Sequence, residues 1–474
     1  MSDFKFPGQY ELDGILVVGN SGVPTEISNL VQEISIYQSL DTPYMSGSIL
    51  LNDADDVSGA LPFLGQERLL FGVLTTGRKK IDFNTHQAVI YNVNKRTQRS
   101  DTAQTVIVQF TTLDNYINSF SRISKYFSRT ISEIVEEILR SPNYLGTKKH
   151  VDIDRTAGIK KFIVPNLNPF QTIHTLQREA VSAEEDSSNY LFYENTDGYH
   201  FKSLDSLYGK QRNLVVAPKA TYVYQHPASA LGTNKNNPEG SLETILHWQI
   251  HDSTNSFVNI KTGMYASTLL THDIFNKNVQ KFEYNYENNY YKRNSTNMNK
   301  KGHGPIVALT NVKDNQPITK QYQSRTFLHP SGHEVYESSS TNSSNKEKLL
   351  TEGGRSQDWL QEMVSRYVER IENFKLTIET YGNTDLTVGD IIEVIIPANK
   401  PLPKSAGTDL KDRVLSGRYV IAELHNLVQP GNKMHTMFMT VMKDSFENRP
   451  PDTETEYKAV SNEGVSFGGQ RELV

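Results

Sequence analysis

The chain has 474 residues, a mass of 53.7 kDa, a net charge of −5 and no cysteine. Disulfides, thiolate metal sites, iron–sulfur clusters and a cysteine nucleophile are thereby excluded, and a reducing compartment or assembly inside a cell fits. At roughly 100–200 residues per domain the length suggests about three domains, long enough to build cores without covalent staples. Mean hydropathy is −0.53, with 24 Tyr and 20 Phe among many polar residues, which suits β-rich structure with long polar loops. A sequence pI of about 6.3 disfavours tight wrapping of nucleic acid.

The first residues, MSDFKFPGQYELDG, hold no apolar stretch of the kind a secretory signal needs. The longest apolar runs, such as 391–397 (IIEVIIP), are far short of a spanning helix, so a soluble chain, or one delivered without classical secretion, is expected, with no membrane insertion. Residues 1–112 read as strands, at 10–18, 46–51, 69–74, 88–93 and 105–110; in 27–37 strand and helix are hard to separate. The period then changes. Thr130 and Glu133 form a capping box ahead of the apolar stripe Ile131, Ile134, Val135, Ile138 and Leu139. A second helix opens at Asn168-Pro169, and a hairpin turns at 195–198, so 113–210 reads as a small α/β domain.

Strands return over 211–262, the best at 242–250 and 257–260. The polar stretch 276–355 reads largely as long loops or as a segment ordered by partners. A helix is expected over 356–372, with Leu360, Met363, Val364, Tyr367, Val368 and Ile371 on one face, then a meander at 374–380, 391–396, 419–424 and 437–442. The expected organisation is a first tube-type β-barrel at 1–112, the α/β domain at 113–210, a discontinuous second barrel at 211–262 and 373–447, an insertion at 263–372, and a flexible tail at 448–474.

The two β regions resemble each other. Gly65-Gln66-Glu67 leads into 69–74 as Gly389-Asp390 leads into 391–396. Val89-Ile90-Tyr91-Asn92-Val93 is matched by Val420-Ile421-Ala422-Glu423-Leu424, and a loop and closing strand follow each, at 105–110 or 437–442. One chain is expected to carry two copies of one β-module.

Tests for chemistry return nothing. There is no phosphate-binding loop and no nucleophile elbow; Gly302-His303-Gly304 lacks the third glycine of a dinucleotide site, and His333-Glu334-Val335-Tyr336-Glu337 lacks the second zinc-protease histidine. His303, His329 and His333 read as loop histidines rather than a metal site. The acidic groups Asp53/Asp55/Asp56 and Glu184/Glu185/Asp186 read as turns rather than as a glycosidase pair. Tyr284, Tyr286, Tyr290 and Tyr291 read as strand or interface packing rather than as a stacking platform, and the sequons at Asn294 and Asn342 matter only in a secreted eukaryotic chain. No catalytic, cofactor-binding or metal residue is expected.

Four stretches carry a resemblance. They are 46–53 (SGSILLND) with 61–67 (LPFLGQE); 168–174 (NPFQTIH) running into 190–204 (YLFYENTDGYHFKSL); 263–267 (GMYAS); and 386–392 (LTVGDII) with 416–421 (SGRYVI). Together, over about 1–447, the chain resembles the baseplate hub proteins of contractile-tailed, T-even-like bacteriophages. The resemblance implies a β-rich α+β fold with two tube-type β-barrels and inserted or appended α/β domains. It implies a structural, non-enzymatic homotrimer, whose pseudo-sixfold ring adapts a threefold central spike to a sixfold tail tube. The implied partners are a trimeric central spike protein, the first ring of the tail tube or a tube-initiator protein, and baseplate wedge or peripheral hub proteins. DNA would pass through at ejection without specific binding. The implied place is the virion tail baseplate, assembled in the host cytoplasm. The polar 276–355 stretch and the tail depart from the pattern, and with no spike-like sequence after 447 the spike is expected to be a separate chain. The alternatives are the hub of a tail-like injection system (type VI or tailocin), a cell-wall or glycan hydrolase using an acidic pair, and a carbohydrate-binding adhesin.

Overall fold

Along Ser46–Asp53 every second residue is buried, Gly47, Ile49, Leu51 and Asp53, while Ser46, Ser48, Leu50 and Asn52 stay partly exposed. That period of two is the signature of a strand with one face on a core. The computed structural model describes residues 6–19, 22–53, 64–75, 78–98, 104–184, 187–211, 214–224, 242–252, 255–273, 277–290, 292–297, 318–331, 356–372, 374–397, 411–412 and 414–446. Six strands form a first module: β1 (Leu16–Val18), β2 (Val31–Ser39), β3 (Ser46–Asp53), β4 (Arg68–Leu70), β5 (Ala88–Gln98) and β6 (Gln104–Thr112). Six more form a second: β7 (Ala220–Tyr224), β8 (Thr244–Asp252), β9 (Lys375–Tyr381), β10 (Ile391–Ile395), β11 (Gly417–Gln429) and β12 (Met434–Met442). The ambiguous stretch 27–37 resolves into a single 3₁₀ turn, Ser28–Leu30, followed by β2.

The neighbours in the first module run β2-β3-β6-β5-β4-β1, and in the second β8-β9-β12-β11-β10-β7. Each strand of the first thus has its counterpart six numbers later. In the second module β7 also pairs with β8, which closes a six-stranded barrel. The first curls around one core, and among the described residues no ladder joins its last strand, Pro24–Glu26, back to β2. The sixth place also differs in sense: β1 is antiparallel to β4, whereas β7 is parallel to β10. The repeat therefore covers five strands, and the sixth is filled independently.

Within those five the register repeats, apart from one extra residue in β5 between Asn94 and Thr97 and one in β8 between Ile250 and Asp252. In the first hairpin Ile90 faces Phe110 and Asn92 faces Gln109, so Tyr91 is bulged; in the second Ile421 faces Val441 and Glu423 faces Thr440, so Ala422 is bulged. A second bulge repeats as well. Gln32 is skipped between Val31↔Leu51 and Glu33↔Leu50, and Leu246 between Ile245↔Thr380 and His247↔Glu379. Bulges re-aim a strand and fix its twist, so two at matching places give both modules one curvature. The pairs Arg68↔Val89 and Ile391↔Val420 place Arg68 with Ile391. The sequence match of Val89–Val93 to Val420–Leu424 is thus in register, while the matches drawn from 69 to 391 and from 105 to 437 are one residue displaced. The approach to the third strand also repeats: Glu67 accepts from the Leu64 amide and Asp390 from the Thr387 amide. Their carbonyls accept from the Ile90 and Ile421 amides.

The modules join edge to edge. β11 pairs with β10 over its first residues and with β2 from Glu423 to Val428, so β8-β9-β12-β11-β2-β3-β6-β5 is one continuous sheet. Each module keeps its own core. The first contains Phe71, Phe83 and Phe110, with ring centroids 4.8–5.6 Å apart. A Cβ on Gly47 would lie 2.2 Å from the Phe110 ring, so glycine is required where that ring crosses β3. The second gathers Ile378, Ile392, Val394, Tyr419, Ile421, Met437, Met439 and Val441. His435 sits in the seam, fully buried, within hydrogen-bond reach of Thr75 Oγ1 (3.3 Å) and Asn426 Oδ1 (3.1 Å).

Between the modules lies an α/β unit. Its helices are α1 (Leu113–Phe120), α2 (Ile131–Arg140) and α3 (Pro169–Gln177), packed on the hairpin Tyr190–Asn195/Gly198–Ser203. Both expected helix starts carry reciprocal capping boxes, Thr130 with Glu133 and Asn168 with Gln171. Residues 257–260, read as strand, lie instead in α4 (Ser256–Thr262). Asn255 caps its start by accepting from the Val258 amide, and Gly263 ends it at φ +85, a conformation open to glycine. The polar stretch is also more ordered than its composition suggests. Asn278–Asn285 pairs with Ala266–Asp273, which pairs in turn with Arg325–Ser331, and α5 (Ser356–Glu372) packs against this sheet. The tail 448–474 lies outside the described residues.

Burial pushes the His435 imidazole down to about 4, from an ordinary 6.5. The unfolded chain therefore binds the proton more readily than the folded one. Stability is complete above about pH 6.5 and falls as pH drops toward 4, by up to about 3 kcal/mol. In urea unfolding between pH 7.5 and 4.5, His435→Gln is expected to flatten this dependence; an unchanged slope would mean that His435 does not carry it.

Candidate assembly surface

The continuous eight-stranded sheet turns one face to the two cores, and its other face is mainly polar, with Leu50, Ile107, Leu427 and Phe438 set among the polar residues. Cross-strand register defines rows of side chains on that outer face. One row runs Asn92, Gln109, Ser48, Ser35, Leu427, Thr436, Tyr381. A second runs His247, Glu379, Phe438, His425, Tyr37, Ser46, Thr111, and a third Gln249, Thr377, Thr440, Glu423, Ser39. None of these residues is lysine or arginine. The repeat brings equivalent polar residues into line: Asn92, Gln109, Ser48 and Ser35 answer to Glu423, Thr440, Thr377 and Gln249. The Asn92 amide donates to Gln109 Oε1 at 3.1 Å.

At the junction of the modules the face is held by a stack. The Tyr37 and His425 rings lie 4.4 Å apart, and His425 stacks on Phe438 at 5.6 Å. Its Nε2 lies 3.1 Å from Ser35 Oγ, and burial pushes its pKa below the ordinary value.

Two buried ionic clusters fix the flanking units to the sheet. In the first, Lys149 Nζ meets Glu194 and, at 3.0 Å, Asp114. Burial alone would push Lys149 down, but the two carboxylates hold it above the usual lysine value. Glu194 accepts in turn from the Met45 amide and the Thr112 hydroxyl at the ends of β3 and β6, which anchors the α/β unit to the first module. In the second, Arg366 of α5 meets Asp205 at 2.9 Å, Glu369 at 2.7 Å and Asp444 at 3.7 Å, all buried. One guanidinium faces three carboxylates. Burial raises Glu369 to about 7 against the pull of Arg366, and Tyr286 donates to it. Asp444 follows β12 and also accepts from Thr296, so the cluster ties four chain segments to the second module.

The residues that a search for chemistry singles out do not converge. His329 lies in the strand Arg325–Ser331, and His303 and His333 lie outside the described residues. Asp53 ends β3 and Glu184 sits in a turn, while Asp55, Asp56, Glu185 and Asp186 are outside. Tyr284, Tyr286 and Tyr290 are buried with Val368 of α5, a packing role; Tyr291 is outside. Asn294 is buried, its amide donating to the Asp205 and Gly209 carbonyls; Asn342 is outside. Among the described residues no group of three or more His, Asp or Glu is placed to hold a metal ion, and no helix is long and apolar enough to cross a membrane. Sequence reasoning missed the Arg366 cluster. Its partners are scattered from 205 to 444, and Arg366 lies on the polar side of α5 beside Glu362 and Glu369, off the apolar stripe, so the helical pattern gives no signal for its burial.

No family model matches the sequence. Against curated proteins, the chain is 22% identical over 415 residues to a probable baseplate hub protein of the Vibrio phage KVP40, covering 87% of this chain and 89% of that one. Among solved structures it is similar to a tail protein from Neisseria meningitidis (TM-score 0.49, 11% identity, 92% and 97% of the two chains). It is also similar to a 43 kDa prophage tail protein from Shewanella oneidensis (TM-score 0.48, 10% identity, 91% and 98%). The resemblance to the hub proteins of contractile phage tails, expected from four stretches of sequence, extends over most of the chain.

Removing Arg366 strands three buried carboxylates. Arg366→Met is expected to cost about 3–5 kcal/mol of unfolding free energy, read by urea titration. A loss below about 1 kcal/mol would mean that the cluster does not hold α5 in place.

Proposed function

We propose that this chain, which resembles a phage baseplate hub protein over 87% of its length, is the structural hub of a contractile phage tail baseplate. It acts as a homotrimer. Three chains with two similar modules each make a ring of six, and such a ring meets a threefold spike on one side and a sixfold tail tube on the other. Its partners are a trimeric central spike, the first tube ring or a tube initiator, and surrounding baseplate proteins; its place is the virion tail baseplate. The reading is structural rather than catalytic, in line with that relative's name.

The observation that carries this reading is the repeat itself. Five strands recur with the same order, senses and paired bulges, and the two copies are joined edge to edge. One chain thus already contains one of the module-to-module junctions that a ring of six requires. The polar face of the joined sheet lines the lumen. A wall built mainly of Ser, Thr, Asn and Gln, with Glu379 and Glu423 and with Leu427, Tyr37, His425 and Phe438 among them, offers few cations to phosphate, and each neutralised phosphate would add affinity through counterion release. DNA would pass without being held.

The solution mass tests the assembly. Three times 53.7 kDa, alone or with the spike, is expected; a monomer in both states would overturn the reading. Duplex retention tests the lumen. The ring is expected to hold DNA weakly with little salt dependence. The variant Ser48→Lys/Thr377→Lys, which changes two equivalent positions, should hold it tightly at 50 mM salt and release it as salt rises. Tight, salt-sensitive retention by the unaltered ring would overturn the conduit.

A further inference from the structure

Away from the joined sheet, the α/β unit and the insertion face each other across a cavity of about 720 Å³. Small-molecule sites span roughly 300–1,000 Å³ and are mostly apolar, with a few placed polar groups. One wall of this cavity is α5. Met363, Tyr367 and Arg370 follow one another at spacings of four and three, so they share one face of that helix, with Val364 beside them. The helix turns Val368 toward the tyrosine cluster and Arg366 toward the ionic one, and it leaves Met363 and Tyr367 partly exposed. The other wall is Phe170 of α3 with Leu191 and Phe192 of the hairpin strand Tyr190–Asn195. Two apolar walls thus enclose one space.

The polar groups of the lining are few, and most are donors. Arg370 is 7% exposed; its Nη2 donates to Asp41 Oδ1 at 2.7 Å, while its Nε has no partner among the described residues. Asn189 is 6% exposed and held at φ +83, and its Nδ2 also has no partner among the described residues. Buried N–H groups are nearly always paired in native structures, because an unpaired one keeps its full desolvation cost. Two such side chains on the wall of one cavity point to a ligand that accepts hydrogen bonds.

Charge narrows its chemistry. Arg178 adds a second guanidinium, held by a relay of side chains. It donates to His174 Nε2 at 3.1 Å, His174 Nδ1 meets Gln177 Oε1 at 3.3 Å, and Gln177 Nε2 donates to the Tyr190 carbonyl at 2.6 Å. Against two arginines the lining sets one carboxylate, that of the exposed Asp41, so it carries one positive charge in a chain of net −5. A single carboxylate matches that charge and the planar guanidinium fork. The Tyr190 carbonyl, where an extended peptide would seek backbone pairing, is already taken by Gln177.

We propose that this cavity binds an amphipathic monocarboxylic acid of the fatty-acid class. The hydrocarbon body lies between α5 and the hairpin, and the carboxylate is met by Arg370 and Asn189. The site is complete within one chain, so it stands apart from the assembly reading and does not depend on it.

A dansyl-labelled undecanoate, whose emission rises in apolar surroundings, tests this on the full-length chain. One saturable site per chain is expected. Dodecanoate, kept below its micelle concentration, should displace the probe, and dodecyltrimethylammonium, with the same tail and the opposite charge, should do so about tenfold less well. Met363→Trp fills the cavity from a partly exposed position and should weaken the probe by about tenfold or more, with the thermal unfolding transition unchanged. Arg370→Met leaves behind only the solvent-exposed Asp41 carboxylate, and should abolish the preference for the acid over the cation while the tail still binds. No saturable binding, or equal displacement by the acid and the cation on the unaltered chain, would overturn the proposal. Binding that both folded variants leave unchanged would place the acid elsewhere and overturn the site.

Discussion

A β-strand presents hydrogen-bonding groups along both edges, and the structure is organised by how those edges are met. The decisive case is the outer edge of β11, shared between β10 in its own module and β2 in the other. Because one strand serves both, the modules cannot slide or rotate independently without breaking backbone hydrogen bonds. Each such bond contributes only about 1 kcal/mol net, but a buried amide left without its partner costs more. The seam behind the ladder is polar and closed: Thr75 donates to the Gly382 carbonyl, and its own amide donates to Thr384.

This arrangement separates what must be constant from what can vary. The five repeated strands set curvature through their matched bulges and supply the polar face. The chain that enters between them carries the differences. The α/β unit is pinned by Lys149 to the strand ends of the first module, and the insertion by Arg366 to the second. Buried ion pairs are weak contributors to net stability because desolvation offsets attraction, but they are demanding in geometry. Here they fix how the appended units sit, while apolar burial holds each core together.

The replacement of β1 by β7 shows how the repeat diverged. An antiparallel sixth strand leaves the first module curled but without a closing ladder among the described residues; a parallel one lets β7 bridge β10 and β8 and closes the second. The buried apolar rows tolerate this, since Leu69 and its counterpart Ile392 are both fully buried despite different neighbours.

The sequence by itself determined what depends on near neighbours. The helix starts at Thr130 and Asn168 were legible because a cap is a contact across three residues, and the helix Ser356–Glu372 because its apolar stripe has a helical period. The repeat was legible at Val89 and Val420 because residues flanking a bulge are constrained on both faces. It slipped by one residue at 69/391 and at 105/437, where alternating aliphatic residues look alike in either frame. Residues 257–260 were misread because four residues are too few to separate a period of two from one of 3.6. Tertiary structure alone decided the rest: the parallel entry of β7, the β11–β2 ladder, and the convergence on Arg366 of partners up to 161 residues away. Those contacts join segments with no local relation, and only the folded chain states their geometry.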